Sequence, residues 1–279
     1  MSAAGRRPKL GQNFLTDGGA AERIVAALGD VSERLVVEIG PGRGVLTDLL
    51  VERAAHVVAI ELDRVLGAQL RMKYVARRNL EVIEGDALTI DLGRLVGRET
   101  GTGGDTRIRH APRAQVIGNL PYYITSPILQ HLFEYHRDIE QIVIMVQREV
   151  AERIAAAPGG REYGLLSATV QLFARVEKLF TLPPGAFSPP PKVHSTVLRL
   201  TIAPRAEELG VEPHAFVDFL KLAFAQKRKT LRNNLKQRYD EPVVRKAIAA
   251  ARLKPEVRAE AAELEKMARV FRALTATPA

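Results

Sequence analysis

The sequence predicts an α/β fold: a doubly wound sheet within residues 1–203, followed by a small all-helical domain over residues 204–279. Three observations carry this. Short apolar runs alternate with helix-compatible segments, a glycine-rich turn follows the first of those runs, and from about Pro204 the pattern is helical without strands.

In chain order, Asp17 stands where it caps a helix over 17–28. The runs 35–39, 56–60, 80–83, 115–117 and 141–146 read as buried parallel strands, and 45–53, 63–75, 126–135 and 148–157 as the helices between them. Segment 97–112 holds four glycines and almost no apolar residues, so it reads as an exposed loop. The runs 165–176 and 193–202, separated by the proline-dense 183–191, are expected to form an antiparallel pair at the sheet edge.

Composition narrows the chemistry. The 279 residues carry a net charge of +9, with 46% hydrophobic and 26% charged residues, as in ordinary globular proteins. No apolar stretch is long enough for a membrane span, and residues 1–10 have no apolar core of a secretory signal. The absence of cysteine excludes disulfides and thiolate metal sites and fits a cytoplasmic protein; the six histidines lack metal-ligand spacing, so no metal is expected. A basic chain of this kind suits a polyanionic partner, although codon bias alone also yields arginine-rich composition.

Glu38-Ile39-Gly40-Pro41-Gly42-Arg43-Gly44 follows the first strand and opens a helix. Glycines there allow a sharp turn and a close ligand approach; a plain turn without ligand is the alternative. Glu61 ends the second strand, seventeen residues after Gly44, where a carboxylate accepts hydrogen bonds from ribose hydroxyls, and Asp86 ends the third, suited to an adenine amino group. The glycines run G-x-G-x-G rather than the G-x-G-x-x-G of a dehydrogenase, so the loop alone is weak evidence. Signals at three successive strand ends strengthen a ligand site, and with S-adenosylmethionine, which has no pyrophosphate, the loop would cradle the amino-acid and ribose parts.

Gly118-Asn119-Leu120-Pro121-Tyr122 follows the fourth strand. An exocyclic adenine amine is a poor nucleophile because its lone pair is delocalised into the ring. The Asn119 side-chain oxygen and the Leu120 carbonyl are suited to accept both of its N–H groups, turning the lone pair toward a methyl donor. Pro121 has no N–H and fixes φ, and Tyr122 offers a face for an extruded base, a contact worth about 1–3 kcal/mol. The bland alternative is a β-turn with a buried tyrosine. Phe187, in the block Pro183-Pro184-Gly185-Ala186-Phe187-Ser188-Pro189-Pro190-Pro191-Lys192-Val193, reads as a ring held outward by a rigid proline frame, or as simple core filling.

In these blocks, together with Leu10-Gly11-Gln12-Asn13-Phe14-Leu15 and 224–235, the chain resembles the ribosomal small-subunit adenine dimethyltransferases of the KsgA type, over nearly its whole length. The resemblance implies a Rossmann-like class I methyltransferase sheet and S-adenosylmethionine as methyl donor, bound by Asn13, Leu15, Gly40, Gly42, Glu61, Leu62, Asp86, Ala87 and Asn119. It implies that Asn119, Leu120, Pro121, Tyr122 and Phe187 form the catalytic site, with Phe187 facing Tyr122 across the flipped adenine. The reaction would be dimethylation of N6 on two adjacent adenosines in the 3′-terminal hairpin loop of small-subunit rRNA, coupled to subunit assembly. Tyr123 and Thr125-Ser126 depart from the family pattern, and the 97–112 loop is longer than usual.

From Arg205 onward sixteen Lys or Arg face ten Asp or Glu, most of the chain's excess positive charge. Lys227, Arg228, Lys229 and Arg232 cluster at the expected start of a helix. Such a run is usually a solvated face; the resemblance implies that it grips rRNA phosphates. A monomer acting in the cytoplasm on the small-subunit precursor is expected. Two alternatives remain at this stage: an antibiotic-resistance methyltransferase of a large-subunit adenosine, which shares the glycine loop and the Asn119–Tyr122 tetrapeptide, and a non-catalytic RNA-binding assembly factor on the same fold.

Overall fold

The computed structural model describes residues 12–96, 113–120 and 124–276. The basic tail, the 97–112 loop, and Pro121, Tyr122 and Tyr123 lie outside them. The elements run β1 (Phe14–Leu15), α1 (Gly18–Ala26), β2 (Leu35–Ile39), α2 (Val45–Arg53), β3 (His56–Glu61), α3 (Arg64–Lys73), β4 (Leu80–Glu84), α4 (Leu92–Val96), β5 (Ala114–Asn119), α5 (Thr125–Glu134) and β6 (Ile139–Gln147). They continue with α6 (Arg148–Ile154), α7 (Leu165–Phe173), β7 (Ala174–Leu182), β8 (Phe187–Ser188), β9 (Ser195–Ile202), α8 (Ala206–Leu209), α9 (Pro213–Ala223), α10 (Leu231–Leu235), α11 (Glu241–Ala250) and α12 (Leu264–Thr275).

A seven-stranded sheet has the order β4-β3-β2-β5-β6-β9-β7, and β1 pairs with β8 separately. The parallel register sets Ile39 beside Ile60 and Gly118, and Glu61 beside Glu84, so the carboxyl ends of β2, β3, β4 and β5 finish side by side. Strand order reverses at β2, the switch point where such sheets bind ligands. β2 is buried at all five positions, and its Val36 packs with Leu50, Val57, Ile117 and Val143. Its run of β-branched residues suits a strand covered on both faces. Asp17 caps α1 by accepting from Ala20 N at 2.9 Å, and Asp63 caps α3 from Val65 N at 2.8 Å.

One expectation is corrected. Residues 165–173 are helix, not strand; the strand begins at Ala174. The run Leu-Leu-Ser-Ala-Thr-Val-Gln-Leu-Phe buries six of its nine positions, and a helix that is apolar nearly all round shows no period that separates it from a buried strand. Ser167 Oγ accepts from Gly164 N at 3.1 Å at its start. In the sheet, β7 is the edge strand next to β9.

Two compact units emerge: the described residues up to Arg148 with Leu179–Arg199, and Glu149–Lys178 with Leu200 onward. The chain therefore passes between them three times, where the sequence led us to expect one passage at 203. In the second unit α7 packs on α9, and Phe216, Phe219 and Phe271 meet with ring centroids 5.4–5.8 Å apart, an aromatic core on helices.

Candidate cofactor and base site

The glycine turn is held from three sides. Gly42 has φ of 59°, and a Cβ there would come within 3.0 Å of the Phe14 ring, which packs on the turn beneath the Arg43 guanidinium. Gly44 has φ of 83°, and a Cβ would lie 2.7 Å from the Tyr74 hydroxyl. That hydroxyl donates to Asp48 Oδ1 at 2.8 Å and lies 3.1 Å from the Gly44 carbonyl. Only glycine satisfies both backbone and space at these positions.

Glu61 is the hub between turn and strand. Its Oε2 accepts from Gly42 N and its Oε1 from Asp63 N, each at 2.9 Å. Burial pushes its pKa up, and the backbone N–H bonds oppose that shift. Each oxygen keeps a lone pair, as hydroxyl donors on a ribose require. Behind it, Glu38 is fully buried and accepts from Thr47 Oγ1 at 2.6 Å; burial pushes its pKa up to about 7.

Beyond the strand ends lies a cleft whose walls are the aliphatic Ile39, Ile60, Leu62, Ile124 and Ile128, with Gln12, Gly40, Gly85, Asp86 and Ala87 completing it. Leu62 is 47% exposed, a large apolar surface left open beside Glu61. The Asp86 carboxylate spends Oδ1 on Leu88 N at 2.9 Å and makes no other hydrogen bond among the described residues. An aliphatic slot with one carboxylate suits a flat heteroaromatic ring with an amino edge. The residues present therefore fit S-adenosylmethionine.

Asn119 ends β5 half-buried, and its Nδ2 donates to the Asn13 carbonyl at 3.2 Å. Its Oδ1 accepts no hydrogen bond among the described residues. Leu120 is buried, with its N–H on the Met145 carbonyl at 3.1 Å and its own carbonyl unpaired among the described residues. Pro121 and Tyr122 lie outside the described residues.

Two expected residues stand elsewhere. Phe187 does not project outward: it is 4% exposed, in the core of the first unit, because its strand pairs with β1 and sets it opposite Leu15. Leu15 is likewise buried there and does not line the cleft, while Asn13 takes part through its backbone carbonyl. Lys227, Arg228 and Lys229 occupy an exposed turn before α10 rather than the helix itself, and none makes an ion pair among the described residues. Arg232 is half-buried, with its Nε enclosed and unpaired.

Sequence reasoning gave no role to Glu38, Thr47, Tyr74 or Asn234. An acid inside an otherwise apolar strand was the available signal for Glu38. Asn234 is buried, and its Nδ2 donates to the Ala223 carbonyl at 2.6 Å and reaches that of Gln226 at 3.3 Å, closing the basic turn onto α10. Nothing local in the sequence marks that bond.

A family model described as ribosomal RNA adenine dimethylase matches residues 4–276. A ribosomal RNA small subunit methyltransferase A of Koribacter versatilis is 55% identical over 273 residues, covering 98% of this chain and 96% of that protein. One of Acidobacterium capsulatum is 52% identical, covering 96% and 91%. Among solved structures, a dimethyladenosine transferase from Plasmodium falciparum shares the fold with TM-score 0.71 at 24% identity, covering 92% of this chain and 95% of that one. The 23S rRNA methyltransferase ErmE does so with TM-score 0.67 at 24% identity, covering 94% and 99%.

Proposed function

The chain belongs to the ribosomal RNA adenine dimethylase family, and from that premise we propose that it transfers methyl groups from S-adenosylmethionine to N6 of two adjacent adenosines in the 3′-terminal hairpin loop of small-subunit rRNA, during subunit assembly. It is an rRNA adenine dimethyltransferase. A ribosomal substrate favours the cytoplasm as its compartment.

Bound S-adenosylmethionine supplies a methyl group activated by a sulfonium. The aliphatic walls and Asp86 hold its adenine, Glu61 accepts from its ribose hydroxyls, and the open backbone at Gly40 and Gly42 admits the rest. Asn119 Oδ1 accepts one N–H of the target amine and the Leu120 carbonyl the other, which aims the nitrogen lone pair. Tyr122 stacks on the extruded base, while Phe187, buried in the core, offers that base no open face. No general base is needed, since positioning and electrostatics drive in-line transfer. The exposed turn Lys227, Arg228, Lys229, with Arg232 behind it, grips RNA phosphates in the helical region from 204 onward.

The observation that carries this reading is the Asn119 amide, held by the Asn13 carbonyl through its nitrogen, with its oxygen unpartnered among the described residues. The curated relatives at 52–55% identity favour the small subunit over the large. Incubating unmodified small and large subunits separately with labelled S-adenosylmethionine tests it. Label is expected on the small subunit, in dimethyladenosine; label on the large subunit alone would overturn the proposal.

A further inference from the structure

Arg252 has φ of 56° and, among the described residues, no other non-glycine has a positive φ. It follows Ala251, the cap of α11, and closes the helix end: its N–H donates to the Ala249 carbonyl at 2.9 Å, and Leu253 N–H reaches the Ile248 carbonyl at 3.1 Å. That pair of bonds is the helix ending that glycine ordinarily completes, because a Cβ crowds the backbone in the left-handed region. An arginine there opposes stability, so its presence calls for a cause outside the backbone.

Arg252, Lys254, Arg258 and Lys266 line an open concavity that holds two carboxylates, Glu256 and Glu260. Arg258 stands 3.9 Å from Glu260, and Lys266 stands 3.7 Å from Glu263. Arg252 and Lys254 are exposed and make no ion pair among the described residues. The floor is anchored, since Leu231 N–H donates to the Val257 carbonyl at 2.8 Å and ties this loop to the start of α10, just after the basic turn.

We propose that Arg252 and Lys254 bind a backbone phosphate of the RNA, as a second anchor beside the Lys227–Arg228–Lys229 turn. The proposal rests on the RNA substrate argued above. The left-handed backbone turns the guanidinium onto the concavity, and a planar fork of donors matches two phosphate oxygens. Such a contact reads no sequence; it fixes register.

Arg252→Gly in the full chain separates this from a backbone accident. The variant is expected to melt about 2 °C higher or more, as relief of a strained helix end implies. Its affinity for a small-subunit rRNA 3′ fragment should nonetheless fall several-fold, with the slope of log K against log salt shallower by about 0.7–0.9. Arg252→Lys should keep the slope without the gain in melting temperature. A more stable Gly variant with unchanged affinity and slope overturns the proposal. Methylation of small subunits by the unaltered chain, run alongside, is an independent arm: its failure would remove the proposed reaction while leaving the phosphate contact standing on the slope.

Discussion

Asn119 Nδ2 sits 3.2 Å from the backbone carbonyl of Asn13, so a segment 106 residues away in sequence orients the Asn119 amide, whose oxygen is the proposed acceptor for the target amine. Removing that amide should damage chemistry far more than binding. Asn119→Ala is expected to lower single-turnover methylation by on the order of 100-fold, the scale seen when one preorganised polar contact to a reacting group is lost. RNA affinity measured by filter binding should stay within about twofold, because no phosphate contact is touched. Equal loss of both would contradict the assigned role.

Gly44 and Tyr74 should be coupled. Gly44→Ala places a methyl 2.7 Å from the Tyr74 hydroxyl at a backbone φ of 83°, and should destabilise the chain by about 1–3 kcal/mol. Tyr74→Phe removes the colliding oxygen but not the backbone strain. The double variant is therefore expected to recover part of the loss, read as a non-additive term in denaturant unfolding. Strict additivity would mean that the backbone alone accounts for the damage.

Glu38 should make stability depend on pH in a direction unusual for a carboxylate. Its folded pKa of about 7 lies above the ordinary 4.5, so the folded chain holds this proton more tightly than the unfolded chain. The contribution is full below pH 4.5 and is lost as pH rises toward 7. Glu38→Gln keeps the shape and removes the titration. Its stability relative to the parent should rise by on the order of 3 kcal/mol between pH 4.5 and 7, then level off. Parallel unfolding curves across that window would sink this account.

Asn234 carries no charge and nevertheless should affect RNA binding. Asn234→Ala frees the carbonyls of Ala223 and Gln226, which flank the basic turn. A loss of about 1–3 kcal/mol of stability is expected from buried partners left unpaired. RNA affinity should fall with the salt slope preserved, since every cation remains. A shallower slope would instead mean that the turn has lost a phosphate contact.

Much of the first unit was legible because each signal was local. Apolar runs between helical segments gave β2 to β6 within a few residues, and Asp17 announced its helix. Gly40, Gly42, Glu61 and Asp86 could be placed at strand ends because parallel strands bring those ends together. The partners were not legible. Thr47 on Glu38, Tyr74 on Gly44 and Asn13 on Asn119 are contacts across the fold that no spacing predicts. Residues 165–173 misled because a helix buried nearly all round lacks a period. Phe187 misled because its proline frame gave no sign that β1 would pair beside it. Arg252 was silent for the opposite reason: a helix end of this type normally announces itself with glycine, and here it does not.

The three passages of the chain between its compact units set an order on synthesis. The last stretch the first unit needs ends at Arg199, whereas the second draws on Glu149–Lys178 and then on everything from Leu200 through α12. As the chain grows, the sheet-bearing unit can close first, while α6 and α7 wait for helices not yet made. A nascent chain halted near residue 200 would thus hold every described residue that lines the cleft at the strand ends, and the apolar side of α7 without its partners.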